Sequence, residues 1–261
     1  MELDVPKVMG VLNVTPDSFY TESRKQGEEE IRMQVKRMLA EGVDIIDVGG
    51  CSTRPGFTPP DEKEEWARVN LGCRLVREVA PDMVLSVDTF RASVAKAALS
   101  IWNADIINDI SGGADPEMFD IVARYKAVYV LTHNKPDNTG YGDITSEVIT
   151  DLSKKVNTLH RKGVNDIILD PGFGFAKTLE ENFRLFNELE ELGKMGLPLL
   201  VGVSRKSMIF KTLGCTPEES LTGTIALNAI ALEKGANILR VHDVKEAAET
   251  VKIYQKIKEG L

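Results

Sequence analysis

Apolar runs in this chain end, repeatedly, on a side chain that can carry charge or exchange a hydrogen bond. Leu12 is followed by Asn13, Val87 by Asp88, Ile107 by Asn108 and Leu169 by Asp170. Val203 is followed by Ser204-Arg205-Lys206-Ser207, and Arg240 and His242 flank Val241. A single such aspartate reads equally well as a helix cap. Two of them, with Asn108 and Lys206, favour one shared pocket, because ionised groups at the end of a buried core are costly without partners.

The residue types suggest what that pocket holds. Aspartate and asparagine accept from amino and ring N–H groups, and lysine donates to a carbonyl oxygen or ring nitrogen. The set suits a flat pterin- or purine-like ring better than a sugar. Arg54, Arg205, Lys206, Arg240 and His242 would together make an anion site within an acidic protein. Arg240 and His242, two apart, share one face of a strand. Asn13 offers an oxygen to a hard cation such as Mg²⁺ on a polyphosphate. Phe173 is read as core, and Phe175 as either packing or a lid on an aromatic ligand. Pro171-Gly172 is a turn.

Elements of a particular kind must position these residues. Apolar runs of strand length span 8–12, 43–48, 83–87, 105–107, 127–131, 166–169, 197–203 and 237–241. They are rich in Val and Ile and mostly lack alternation, as parallel strands covered on both faces do. Between them lie helical stripes: Ile31, Val35, Met38 and Leu39; Trp66, Val69, Cys73 and Val76; Ala247, Val251 and Tyr254. Charged stretches at 28–30 and 188–191 read as solvated helix surface. Eight strand–helix pairs in 261 residues predict an α/β chain, an eight-stranded parallel (β/α)8 TIM barrel. An open doubly wound sheet is the alternative. No linker divides the chain, so a single domain over 1–261 is expected. In such barrels the active site lies at the carboxyl ends of the strands. Long loops at 14–26 and 50–60 stand ready to close over it.

Composition bounds the rest. A net charge of −8 argues against nucleic acid and anionic membranes. No run approaches the roughly 18 apolar residues of a membrane span, and the acidic N-terminus lacks a signal-peptide core. Three scattered cysteines without a Cys-x-x-Cys favour a reducing cytoplasm over a disulfide framework. His133, His160 and His242 share no motif that would support zinc.

The motifs 9–19 (MGVLNVTPDSF), 47–50 (DVGG), 52–56 (STRPG), 86–89 (SVDT), 107–109 (IND), 170–175 (DPGFGF), 204–207 (SRKS) and 240–243 (RVHD) resemble, in order, those of the dihydropteroate synthase family. The resemblance implies a (β/α)8 barrel, a homodimer, and a folate-pathway enzyme targeted by sulfonamides. It implies the joining of 7,8-dihydropterin-6-ylmethyl diphosphate to 4-aminobenzoate. It assigns Asp88, Asn108, Asp170 and Lys206 to the pterin, and Asn13, Arg240 and His242 to the diphosphate with Mg²⁺. Phe19, Thr53, Arg54, Pro55, Phe175 and Ser207 would frame 4-aminobenzoate. Asp88, Lys206, Arg240 and His242 are the expected catalytic set.

The chain departs from the family pattern at three places. Cys51 stands where glutamate is common, Tyr20-Thr21-Glu22-Ser23-Arg24 replaces a glycine-containing stretch, and Thr132 and Asn134 flank His133 in place of methionines. His133 is read as structural. Other readings are a pterin-dependent methyltransferase domain, a Schiff-base aldolase using Lys206 with its pKa depressed by Arg205, and a non-catalytic pterin-binding protein.

Overall fold

Seven buried apolar side chains, Met9, Ile45, Ile106, Val130, Ile168, Leu200 and Ile238, form a small cluster of their own, apart from the main core. Each comes from a different strand of a parallel sheet. The computed structural model describes residues 3–14, 24–51, 60–135 and 140–260. Within them the strands are β1 (Lys7–Asn13), β2 (Ile45–Gly49), β3 (Val84–Asp88), β4 (Ile106–Asp109), β5 (Val128–Thr132), β6 (Ile167–Asp170), β7 (Leu200–Val201) and β8 (Ile238–Val241). The helices are α1 (Arg24–Glu41), α2 (Glu62–Val79), α3 (Ala92–Trp102), α4 (Met118–Tyr125), α5 (Ile144–Arg161), α6 (Leu179–Asn187), α7 (Leu189–Gly193), α8 (Ser207–Leu213), α9 (Leu221–Glu233) and α10 (Val244–Glu259).

The strands pair in the order β6-β5-β4-β3-β2-β1-β8-β7. A bridge between Leu169 and Leu199 joins β6 to β7 and closes the ring. This is the (β/α)8 barrel, not the open sheet. Because side chains alternate along a strand, every second residue faces the barrel axis. The seven-residue cluster, with Val84 from β3 packed against it, plugs the floor. The other faces of the strands, such as Leu12, Ile46, Val48, Leu85 and Leu131, join the larger core under the helices.

The seventh strand is shorter than its apolar run. Only Leu200–Val201 lie in a ladder, against an expected 197–203. Pro198 has no N–H to give. The Leu199 N–H is taken by the Asn237 side chain at 2.9 Å instead of by β6. The closure therefore rests largely on the Leu169 N–H donating to the Pro198 carbonyl at 2.8 Å.

Candidate active site

Two residues beyond the floor, on the same inward face, the strands change character. The next positions are Val11, Asp47, Ser86, Asn108, Thr132, Asp170, Gly202 and Arg240. One further step brings Asn13, Gly49, Asp88 and His242 to the rim. The apolar plug thus supports a polar layer, and strand register aligns it. Asp47 lies opposite Ser86, Gly49 opposite Asp88, Asp88 opposite Asn108, and Thr132 opposite Asp170.

Arg240 organises this layer. Its Nε donates to Asp47 Oδ2 at 2.7 Å, and its Nη2 donates to Asp88 Oδ2 at 2.5 Å. Burial alone would lower the Arg240 pKa, but Asp47 and Asp88 more than offset this and hold it above its ordinary value. Asp88 moves the other way. Burial pushes it up to about 7, Arg240 opposes the rise, and Asp47, Asp109 and Asp170 add to it. Two carboxylates sharing one guanidinium leave Asp88 able to gain a proton near neutrality.

Lys206 approaches from β7. Its Nζ donates to the Phe173 carbonyl at 2.5 Å and lies 5.0 Å from the Phe175 ring centroid. Burial lowers its pKa to about 8, against the pull of Asp170. Gly202 lies beside both Lys206 and Arg240: a Cβ there would stand in ordinary contact, 3.7 Å from Arg240 Cβ and 3.9 Å from Lys206 Nζ.

Asp170 commits part of its carboxylate to the loop that follows β6. Its Oδ1 accepts from the Gly172 N–H at 2.8 Å, and its Oδ2 from Thr132 Oγ1 at 3.3 Å. Gly172 has φ +69, and a Cβ there would stand 2.0 Å from the His133 carbonyl. This turn requires glycine.

His242 stands on the rim, with Nδ1 3.1 Å from Ser204 Oγ. Asn13 is exposed, and its Oδ1 lies 3.3 Å from where a Gly49 Cβ would stand. Ser207 opens α8, and Phe175 is half-buried beside Lys206. Asp88, Asn108, Asp170, Lys206, Arg240, Phe175, Asn13 and His242 therefore gather at one barrel mouth. Phe19, Thr53, Arg54 and Pro55 lie outside the described residues. Phe173 is fully buried in the core, as read.

Arg205 is a correction. It makes a two-pronged pair with Asp243, at 2.9 and 2.7 Å, and does not join the pocket cations. Its backbone has a φ of +55, in the left-handed region. Burial, Asp170, Arg240 and Asp88 set the Lys206 pKa, and Arg205 is not among the causes.

Asp47 and Ser204 were missed as site residues. So was the buried Glu65, which pairs with Arg91 and accepts from Thr89 Oγ1 at 2.5 Å. Arg91 also donates to the Pro60 carbonyl at 2.8 Å, and Arg68 to the Gly50 carbonyl at 3.0 Å. These arginines hold the chain on both sides of the second long loop. Lys177 was missed too. Its Nζ donates to the carbonyls of Gly172 at 2.8 Å and Phe175 at 3.2 Å, tying down the loop beside Lys206.

A closed parallel barrel with paired acids and cations at its carboxyl-end mouth is the architecture of an α/β-barrel enzyme. Residues 9–242 match the family model described as pterin binding enzyme. The chain is 41% identical over 250 residues to dihydropteroate synthase of Bacillus subtilis, covering 94% of this chain and 86% of that one. It is similar to a Clostridium difficile dihydropteroate synthase solved with pteroic acid, with a TM-score of 0.92, 36% identity, and 97% of each chain covered. It is also similar to the Xanthomonas albilineans enzyme solved with 4-aminobenzoic acid, with a TM-score of 0.91, 37% identity, and 98% of this chain and 94% of that one covered. That enzyme has also been solved with 7,8-dihydropteroate. The chain belongs to the pterin-binding enzyme family, among its dihydropteroate synthases.

Proposed function

We propose that this chain, as a single domain, joins 7,8-dihydropterin-6-ylmethyl diphosphate to 4-aminobenzoate, yielding 7,8-dihydropteroate and pyrophosphate. The observation that carries this reading is the meeting of Arg240, Asp88 and Lys206 around Gly202 in a chain of this family. Asp88, Asn108, Asp170 and Lys206 hold the pterin. Asn13, Arg240 and His242 hold the diphosphate. Phe175 and Ser207 frame 4-aminobenzoate, with Phe19, Thr53, Arg54 and Pro55 from the two long loops.

The reaction is a substitution at the pterin methylene. The carbon–oxygen bond breaks, and its electron pair leaves with the diphosphate. The arylamine nitrogen lone pair forms the new carbon–nitrogen bond, and the surplus N–H proton passes to solvent. Arg240 and His242 stabilise the charge that develops on the leaving group. Asp88 beside the ring favours the cationic methylene. Holding both reactants in one mouth supplies much of the rate, on the order of 7–11 kcal/mol for well-aligned partners.

The residues fit a magnesium ion that arrives with the substrate. Mg²⁺ keeps several waters and takes only one or two protein oxygens beside phosphate. The Asn13 amide oxygen, on the rim near Asp88, suits that role. When bound, Mg²⁺ would neutralise charge on the departing diphosphate.

A cytoplasmic location accords with three scattered cysteines. No helix among the described residues is long and apolar enough to cross a membrane. A homodimer accords with the apolar exposed faces of α9 and α10.

A coupled assay of pyrophosphate release tests the reaction. Release should require both substrates and Mg²⁺ and be blocked by a sulfonamide. Arg240→Ala should lower kcat by roughly 10²-fold or more, in the range of losing one charge-stabilising donor. Parental turnover in that variant would sink the site assignment.

A further inference from the structure

The geometry points to Asp47 as a positioning residue that sets which hydrogen-bonding group Asn108 presents to the ligand. Resting on the pterin-site reading, it extends that reading to a residue without a ligand contact of its own.

Asp47 is fully buried within β2, one layer above the floor. Its Oδ1 accepts from Ser86 Oγ at 2.6 Å. Its Oδ2 accepts from Asn108 Nδ2 at 3.0 Å and from Arg240 Nε at 2.7 Å. Three donors thus converge on one carboxylate from β3, β4 and β8. A carboxylate accepts and does not donate. An asparagine side chain has one accepting and one donating end, and these are nearly equal in shape. Beside a carboxylate only one of its two orientations survives. Asn108 must turn its amide nitrogen to Asp47 and its carbonyl oxygen away.

That carbonyl oxygen is buried and has no hydrogen-bond partner among the described residues. A buried acceptor left unmatched is costly. The donor that completes it comes from the ligand, as an N–H of the heterocycle. Asp47 therefore writes a polarity into the site. A ring presenting N–H to Asn108 is accepted, and one presenting a lone pair or an N-methyl group is refused. Sites built to bond a specific N–H discriminate strongly against its absence, because their own polar groups are then left unpaired. The same carboxylate fixes the Arg240 fork through Nε, which leaves Nη2 for Asp88.

The test uses the full chain and four variants: Asp47→Ala, Asp47→Asn, Asp47→Ser and Asn108→Ala. Two quantities are read for each: the KM of both substrates, and the Kd of 6-hydroxymethyl-7,8-dihydropterin, which lacks the diphosphate and so reports on the ring alone. Asp47→Ala should weaken the diphosphate-free pterin by roughly 10-fold or more, as expected for one mispaired buried group. The KM for 4-aminobenzoate should stay within about twofold. Asp47→Asn should restore most of the pterin affinity. One amide oxygen can accept from both Arg240 and Asn108, while the Ser86 hydroxyl turns to accept from the new amide nitrogen. Should Asp47→Ala not fold, Asp47→Ser carries the same test, since a hydroxyl donates as well as accepts and no longer dictates the amide.

Parental pterin affinity in a folded Asp47→Ala or Asp47→Ser overturns the inference. So does equal weakening of both substrates, which would mark general loosening, and so does failure of Asp47→Asn to recover. If Asn108→Ala itself binds the pterin like the parent, the pterin-site reading has failed, and not merely the role of Asp47.

Discussion

Lys206 shows what burial does to a single charge at this mouth. Its ordinary value of 10.5 falls to about 8 in the folded chain, chiefly through burial. The proposed pterin site uses Lys206 as a cation, so kcat/KM for the pterin substrate should fall as pH rises through about 8. The decline would not be unfolding. A lysine whose folded pKa lies below its unfolded one is bound more tightly by protons in the unfolded chain. Stability therefore increases between about pH 8 and 10.5. The melting midpoint should hold or rise over the window in which activity falls. Lys177, held down to about 7 by burial, titrates earlier. Lys206→Arg separates the two, because an always-charged side chain should remove only the limb near 8. A pH–rate profile that is flat from 7 to 9.5 would count against a catalytic Lys206.

Which residues could be read from sequence depended on where they sat along their strands. Asp88, Asn108 and Asp170 stand at strand ends, so an apolar run pointed straight at them. Asp47 sits inside the run Ile45-Ile46-Asp47-Val48 and passed as strand. The available signal was chemical. A carboxylate amid buried aliphatics must have partners, and Arg240, set within the apolar run of the last strand, offered a matching cation. Arg205 was misplaced for the opposite reason. Its neighbour Lys206 enters the mouth, but a positive φ is invisible in a non-glycine residue type.

At the level of elements, seven strand runs announced themselves through Val and Ile, while the eighth overreached. Pro198 and the Asn237 side chain cut β7 to two ladder residues. The barrel wall is consequently uneven. The β2–β3 pair shares five register positions, whereas β6 and β7 meet at one bridge. Local opening follows the thinnest hydrogen bonding. Native-state exchange should find the Leu169 amide, bonded to Pro198, opening roughly 10-fold or more faster than the Val87 amide. Equal protection of the two would mean that helix packing, not the ladder, governs the seam.

The whole molecule carries an apolar surface that its own core does not use. Ile230 on α9 is 45% exposed, and Ile253 and Ile257 on α10 are 65% and 56% exposed. Ala226 and Ala229 extend the α9 surface and let another backbone approach. A second copy of the chain is the proposed occupant. Sedimentation should give a dimer for the parent and a monomer for Ile230→Asp, since burying a lone carboxylate in that contact is costly. A monomeric parent at micromolar concentration would remove the dimer.

The shared guanidinium has one last consequence. Asp47, Asp88 and Asp170 outnumber Arg240 and Lys206, and Asp88 is already held up to about 7. A phosphate-bearing substrate brings more negative charge to the same place. Its arrival must hold Lys206, whose pKa lies near 8, further toward its protonated form, so docking drains hydrogen ions from the surrounding buffer. Calorimetric heats of binding near neutrality would then differ between phosphate and Tris in proportion to the ions taken up, and the uptake should shrink as magnesium is added to share the neutralisation.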